Sequence, residues 1–237
     1  MLSLVTGTLN RRSLLPGLLE NTIFANENLE LVLVDGGSQD GTLEFLKSVN
    51  HPRLKLVEVG KRTSCPHFVN LGIRSASHEH ICQWNDDVLL VNDWNEVLEE
   101  IKNPNFDSWI FSWQYLPINE MKNKQLQDSM TWNLCNTKDS DPNGEIVLNY
   151  GIFKKDLFRK FGMFDSNFHF YYSDGELAHR YYELGVKFKN CHNIRVASIS
   201  GVPKSSPHPP QSQWDYYVLC RQHHIKKQFQ SHLELLT

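Results

Sequence analysis

Residues Leu31–Thr42 read LVLVDGGSQDGT. A run of four apolar residues stops at an acid, and two glycines, a serine, a glutamine, a second acid and a third glycine follow. A short apolar run bounded by turn residues predicts a buried strand that ends at a sheet edge. Beyond it Leu43, Leu46 and Val49 recur at helical spacing, so a helix follows. Ligands of open α/β sheets sit in the crevice beyond the carboxyl ends of the strands. Asp35 therefore stands where a ligand would be, although Asp-Gly-Gly-Ser is equally a turn signal and Asp40-Gly41 could simply open the helix. A glycine loop entering a helix can also cradle phosphate on its N–H groups. GGSQDG, however, matches neither the dinucleotide fingerprint nor the P-loop.

The same alternation extends on both sides. Leu2 to Val5 predicts a first buried strand, and Ser13 opens a helix carrying Leu15, Leu18, Leu19 and Ile23, with Pro16 tolerated in its first turn. Leu54 to Val59 alternates as a third strand, Phe68 to Ala76 suits a helix, and His80 to Trp84 is a fourth strand ending in Asn85-Asp86-Asp87. Strands alternating with helices predict a mostly parallel sheet. The second half is less regular. Ser108 to Leu116 carries aromatics among apolar residues and predicts a strand, whereas Asn119 to Gly144 is polar and aperiodic and suits a surface excursion. Lys154 to Phe161 and Gly175 to Leu184 are helical, the second capped by Gly185. Ser205 to Pro210 holds three prolines and suits a turn or extended segment, and Trp214 to Phe229 is an amphipathic, basic helix. No repeat or linker-like break divides the chain, so we expect one domain over residues 1–237, with parts at 1–100, 101–204 and 205–237.

Composition bounds the function classes. With 40% hydrophobic and 22% charged residues the chain is an ordinary globular one. A net charge of −3 gives no electrostatic case for nucleic acid as a partner. No apolar run approaches the roughly 20 residues of a membrane span, and the opening MLSLVTGTLNRR has the reverse order of a secretory signal. Cys65, Cys82, Cys135, Cys191 and Cys220 are scattered, odd in number and lack CxxC spacing, which favours reduced thiols in a cytoplasmic setting over disulfides or zinc.

Two further acidic clusters join Asp35. Adjacent carboxylates at Asp86 and Asp87 repel unless something positive compensates them. Mg2+ or Mn2+ suits, since it takes one or two protein carboxylates and completes its shell with phosphate and water; a plain Asn-Asp turn explains the same residues. In FDSNFHFYYSDGELAHR, Phe164 to Arg180, Asp174 and Glu176 open a helix, where the dipole stabilises negative charge. Phe164, Phe168, Phe170, Tyr171 and Tyr172 crowd just before them. Aromatic walls beside a carboxylate suit sugar rings, and they desolvate the acid, as a general base requires. Arg180 lies in helical register with Glu176 and suits an i,i+4 pair.

Taken in order, these clusters resemble the family 2 inverting glycosyltransferases of the GT-A fold. VTGTLNR, Val5 to Arg11, is similar to that family's opening strand and Pro-Thr-Tyr-Asn-Arg-type turn, with Gly7 for Pro and Leu9 for Tyr. VDGGSQDGT is close to VDDGSxDGT, Asn70-Leu71-Gly72 resembles the Asn-x-Gly before the fourth strand, and WNDDV resembles the LNxDV form of the DxD motif. GMFDSNFHFYYSDGELAHR resembles GGFDExFxxYxEDxDLxxR, so the likeness spans roughly Leu2 to Gly185. The resemblance implies an α/β three-layer sandwich with a mixed, mostly parallel central sheet, whose first part binds a nucleotide and whose second binds acceptor. It implies transfer of a sugar from a nucleoside-diphosphate sugar, most often a UDP-sugar, to a hydroxyl acceptor such as a glycan, by a single inverting displacement.

By the same resemblance, Asp35 would bind the nucleotide base, with Thr8 near the same pocket. Asp87 would ligate Mn2+ or Mg2+ at the diphosphate, with Asp86 or Asn85 assisting and His208 as the candidate for a histidine ligand found in some relatives. Lys61 and Arg62 would offset charge on the leaving diphosphate, or are solvated surface cations. Asp174 would be the general base, with Tyr172, Ser173 and Glu176 at the acceptor. Two departures stand out: Ser173 replaces the Glu of the family's Glu-Asp pair, and Asn85 replaces the first DxD acid. Both would also suit a non-catalytic glycan- or nucleotide-binding module. A sugar nucleotidyltransferase would need a GGxGTR-like loop where this chain has GTLNRR. His223 and His224 read as surface residues, and the terminal basic helix as packed, with peripheral membrane contact as its alternative.

Overall fold

The computed structural model describes residues 1–120, 123–134, 150–169 and 173–200. The sequence-predicted segments 205–210 and 214–229 lie outside the described residues. Four strands, β1 (Leu2–Thr8), β2 (Leu29–Asp35), β3 (Leu54–Glu58) and β4 (His80–Gln83), run parallel in the order β3-β2-β1-β4. The helices α1 (Leu15–Asn21), α2 (Thr42–Val49) and α3 (Cys65–Ser75) connect them. β2 is buried along its whole length, as its unbroken apolar run requires. Both β1 and β2 run further than their apolar runs suggest. Gly7 and Thr8 pair with Val34 and Asp35, and the Gly36 amide donates to the Thr8 carbonyl at 3.0 Å.

Helix α3 begins at Cys65, three residues before its predicted start, because Ser64 caps it by accepting from the His67 amide and Pro66 sits in its first turn. It packs across β1, β2 and β3. A Cβ on Gly72 would stand 2.2 Å from Val5 Cγ1, so only glycine permits this approach.

The second half inserts antiparallel strands. β5 (Val88–Leu90), α4 (Trp94–Glu100), β6 (Ser108–Pro117), α5 (Lys124–Ser129), β7 (Asn133–Leu134), β8 (Gly151–Lys154), α6 (Lys155–Phe161), α7 (Ser173–Glu183) and β9 (Phe188–Ser200) follow in order. Among the described residues the sheet reads β3-β2-β1-β4-β8-β6-β9-β5, with β7 beside β6. β8 runs antiparallel between β4 and β6, while β9 runs parallel to β6 and antiparallel to β5. The sheet is therefore the mixed one expected, parallel in its first half. Within the expected excursion 119–144, α5 and β7 are short ordered elements. Strand β9 escaped prediction because its register against β6 breaks between Phe111 and Ser112, which interrupts its alternation. The edge strand β5 is finished by α1: Asn21 donates to the Leu90 carbonyl and accepts from the Leu90 amide, as a neighbouring strand would. Among the described residues no helix is long and apolar enough to cross a membrane.

At the amino ends of the parallel strands, Glu30 is buried on β2. Ser3 Oγ donates to it at 2.6 Å, the Ser77 amide at 2.8 Å, and Lys55 Nζ lies 2.9 Å away. Burial alone would raise its carboxyl pKa, but these donors outweigh it and bring the value down to about 2. A depressed acid contributes stability that is present above its unfolded pKa, near 4.5, and is lost as pH falls through the folded value. Glu30→Gln is expected to cost about 2 kcal/mol at neutral pH, discounted because the Lys55 side chain is 40% exposed. Urea unfolding of wild type and variant should converge between pH 4.5 and 2; curves that stay parallel across that range would contradict the assignment.

Candidate active site

The site lies beyond the carboxyl ends of β1 and β4, as expected of an open α/β sheet. The loops after β1 and β2 are laced together there. The Asn10 amide donates to Ser38 Oγ at 2.9 Å, Gln39 N to Asn10 Oδ1 at 2.8 Å, Arg11 N to Thr42 Oγ1 at 3.0 Å, and Arg12 N to Asp40 Oδ2 at 3.1 Å.

Asp35 organises one of these loops. Its Oδ2 accepts from the Gly37 and Ser38 amides at 2.8 and 3.1 Å, its Oδ1 accepts from the Ser38 hydroxyl, and the residue is 0% exposed. This is the turn geometry that was one of its two readings. Gly37 takes φ +88, and a Cβ there would stand 2.7 Å from the Gly60 carbonyl oxygen, so the loop presses on the connection after β3.

The acids after β4 face a cleft of about 320 Å3. Thr8 Oγ1 donates to Asp86 Oδ2 at 2.8 Å, and Arg11 Nε lies 3.8 Å from Asp86 Oδ1. Burial, then the neighbouring Asp87 charge, push the Asp86 carboxyl up to about 7, against the opposing pull of Arg11 and Thr8. Burial raises Asp87 as well, with Arg11 pulling the other way. The Asp87 carbonyl accepts from Ile199 N at 2.8 Å, which fixes the turn against β9.

Two adjacent carboxylates whose ionisation is opposed by burial form a donor set that suits a hard divalent cation. Asp86 and Asp87, with the Asn85 amide beside them in the lining, would hold Mn2+ or Mg2+. Among the described residues no group of three His, Cys, Asp or Glu side chains gathers as a metal cage, and a site for a phosphate-bound cation needs only one or two carboxylates. His208 and Tyr172 lie outside the described residues.

Of the other expected site residues, Thr8 and Arg62 line the cleft. Lys61 is exposed on the loop after β3, and neither it nor Asp35 belongs to the cleft lining. Ser173 is buried and Asp174 half-buried in the first turn of α7. Glu176, expected at the acceptor, is engaged within the fold. It is 2% exposed, and Arg180 donates to its two oxygens at 2.7 and 3.0 Å. The reason is helical register: Arg180 lies one turn on and also donates to the Phe161 and Met163 carbonyls, so the pair ties α7 to the turn after α6. The i,i+4 pairing of Arg180 is as the spacing predicts.

The segment that leads into α7 is fastened to α3. Asn70 Nδ2 donates to the Phe164 carbonyl at 2.8 Å, the Phe164 amide donates to Asn70 Oδ1 at 3.1 Å, and Cys65 N donates to the His169 carbonyl at 2.8 Å. His169 thereby joins the cleft lining, with Thr63, Phe68 and Gln83. Sequence reasoning missed these four and the Arg11 contact. Arg11 stood inside a quoted motif, and Gln83 offered a faint signal as a polar residue ending an apolar strand.

A mixed sheet of this order with acids at the end of β4 defines a GT-A glycosyltransferase fold. The chain belongs to glycosyl transferase family 2, whose sequence model matches residues 3–163. It is similar to the mannosyltransferase PcManGT from Pyrobaculum calidifontis, solved in complex with GDP-Man and Mn2+, with a TM-score of 0.63 and 19% identity over 90% of this chain and 59% of that one. It is also similar to residues 1–349 of S. aureus TarS in complex with UDP-GlcNAc, with a TM-score of 0.67 and 14% identity over 92% of this chain and 64% of that one. The chain thus spans less than two thirds of the length of these solved chains. No curated protein matches it.

The Asp35 geometry makes a direct prediction. Asp35→Ala strands two loop amides and the Ser38 hydroxyl, and is expected to cost about 2 kcal/mol in urea unfolding. Wild-type stability in that variant would show that the carboxylate does not hold the loop.

Proposed function

We propose that this chain transfers a sugar from a nucleoside-diphosphate sugar to a hydroxyl acceptor with inversion, using a divalent metal. The carrying observation is the Asp86-Asp87 pair, half-buried in the cleft and anchored to Thr8 of β1 and Arg11. The GDP-Man and UDP-GlcNAc in the similar structures support a nucleotide-sugar donor, and the family resemblance favours a UDP-sugar. The acceptor is a glycan or another hydroxyl compound. A cytoplasmic setting, which the scattered and odd-numbered cysteines of the sequence favour, belongs to this reading.

In this reading Asp87 would hold the metal, with Asp86 or Asn85 assisting and His208 as a candidate further ligand. Mn2+ or Mg2+, when bound, supplies positive charge to the departing diphosphate. Thr8 and Arg11 fix Asp86 beside Asp87, and Arg62, with Lys61 nearby, offsets the charge of the diphosphate. Asp35 shapes the base-binding edge of the site through its loop. Asp174 takes the proton of the acceptor hydroxyl, held beside Tyr172 and Ser173, as that oxygen bonds to C1 of the sugar. The C1–phosphate oxygen bond breaks on the opposite face, the nucleoside diphosphate leaves, and the anomeric centre inverts.

Two variants test the reading. Asp87→Ala should weaken binding of a matched UDP- or GDP-sugar at least tenfold in calorimetry with Mn2+ present; unchanged affinity would rule out the metal role. Asp174→Asn should lower transfer at least a hundredfold while donor affinity stays within about twofold. Turnover at the wild-type rate would remove Asp174 as the base.

A further inference from the structure

His80 opens β4 and stands at the seam where the parallel half of the sheet meets its antiparallel extension. It pairs with Leu2 of β1 on one side and with Lys154 of β8 on the other. Trp109 of β6 pairs with Ile152, two residues from Lys154 on β8. Cross-strand partners project from the same face of a sheet, so the His80 and Trp109 side chains lie on one face and meet across β8. Their rings make an edge contact, with centroids 5.6 Å apart and planes at 64°. His80 Nε2 and Trp109 Nε1 are both buried, and among the described residues neither has a hydrogen-bond partner.

A neutral imidazole is tolerated in this place and an imidazolium is not. Protonation turns both ring nitrogens into donors, and the indole N–H beside the ring can only donate. A buried charge without an acceptor is costly. The surrounding charges add to that cost. Lys154 is the cross-strand neighbour, and the Met1 amino group precedes Leu2, the partner on β1; both oppose a further positive charge, while Glu79 favours it. Lys154 is itself paired with Asp107 at 2.9 Å, and Lys189, aligned with Trp109 on β9, is paired with Glu100. Burial, then the Met1 amino group, hold the His80 ring below its ordinary value of 6.5. As pH falls, the unfolded chain therefore takes up this proton before the folded one does. The contribution of neutral His80 is complete above pH 6.5 and is lost as pH falls from there through the folded value. The seam has little reserve, since β4 and β8 share only four residue pairs.

We propose that His80 is an acid-sensitive latch of the sheet: as a neutral ring it packs on Trp109 and holds β4 and β6 together over β8, and on protonation it leaves that place and the seam loosens. Urea unfolding of wild type and His80→Phe at pH 7.5 and 5.5 tests this. His80→Phe keeps a ring against Trp109 but cannot take a proton. Every other titrating group, including His78 two residues earlier, is present in both proteins and cancels in the comparison. Over this interval the unfolding constant of wild type should rise roughly fivefold more than that of the variant. Equal responses, or a larger rise in His80→Phe, would overturn the latch. A second measurement needs no variant and stays decisive if His80→Phe fails to fold. In proton NMR of the wild-type chain, the His80 ring resonance, recognised by its through-space contact with the Trp109 indole, should titrate below pH 6.5. Titration at or above that value, or no such contact, would equally overturn it.

Discussion

The close approach of α3 to β1 at Gly72 is the contact on which the site depends. With no Cβ at that position, the helix sits against Val5, and its amino end reaches the carboxyl ends of the strands. From there α3 holds two separate parts of the chain. Asn70 pairs with the Phe164 backbone as a strand would, and Cys65 binds the His169 carbonyl. The segment before α7 is thus docked on a helix that is itself docked on the sheet. A shift of α3 by the width of a methyl group would carry the His169 wall of the cleft with it.

A second constraint is electrostatic. The chain places two adjacent acids where burial opposes their ionisation, with the Arg11 guanidinium beside them. Such an arrangement does not arise from packing needs, since a neutral turn would close the same connection at less cost. The contrast with Glu30 and Glu176 is instructive. Glu30 has donors enough to stay ionised, and Glu176 has Arg180, so both are internal fasteners. Asp86 and Asp87 are instead pushed up by burial at the cleft, against the pull of Arg11, which sets them apart from the two internal fasteners.

Much of the fold was legible locally. LVLVDGGSQDGT announced a buried strand, a glycine turn and a helix, and each is present, because apolar run length and turn chemistry report backbone state directly. The strands β8 and β9 and the helix α4 were not legible. β8 and α4 are too short for a period to show, and the irregular pairing of β9 breaks its alternation. In the site, the acids at the end of β4 were legible as a pair, whereas the division of labour among the acids was not. Asp35 carried a carboxylate at a strand end, yet Gly37 and Ser38 occupy it.

The sequence alone determined the alternation of strands and helices in the first half, the glycine turn after β2, and the acids that end β2 and β4. Local pattern suffices for these, since each depends on neighbours within a few positions. Only the tertiary structure decided which polar groups have partners. Thr8 meets Asp86 across a separation of 78 residues and Asn70 meets Phe164 across 94. Contacts of that range decide that Asp86 is anchored to β1 and that the segment before α7 is docked on α3. A side chain's chemistry is written in its own residue type, but its availability is set by whatever the fold brings beside it.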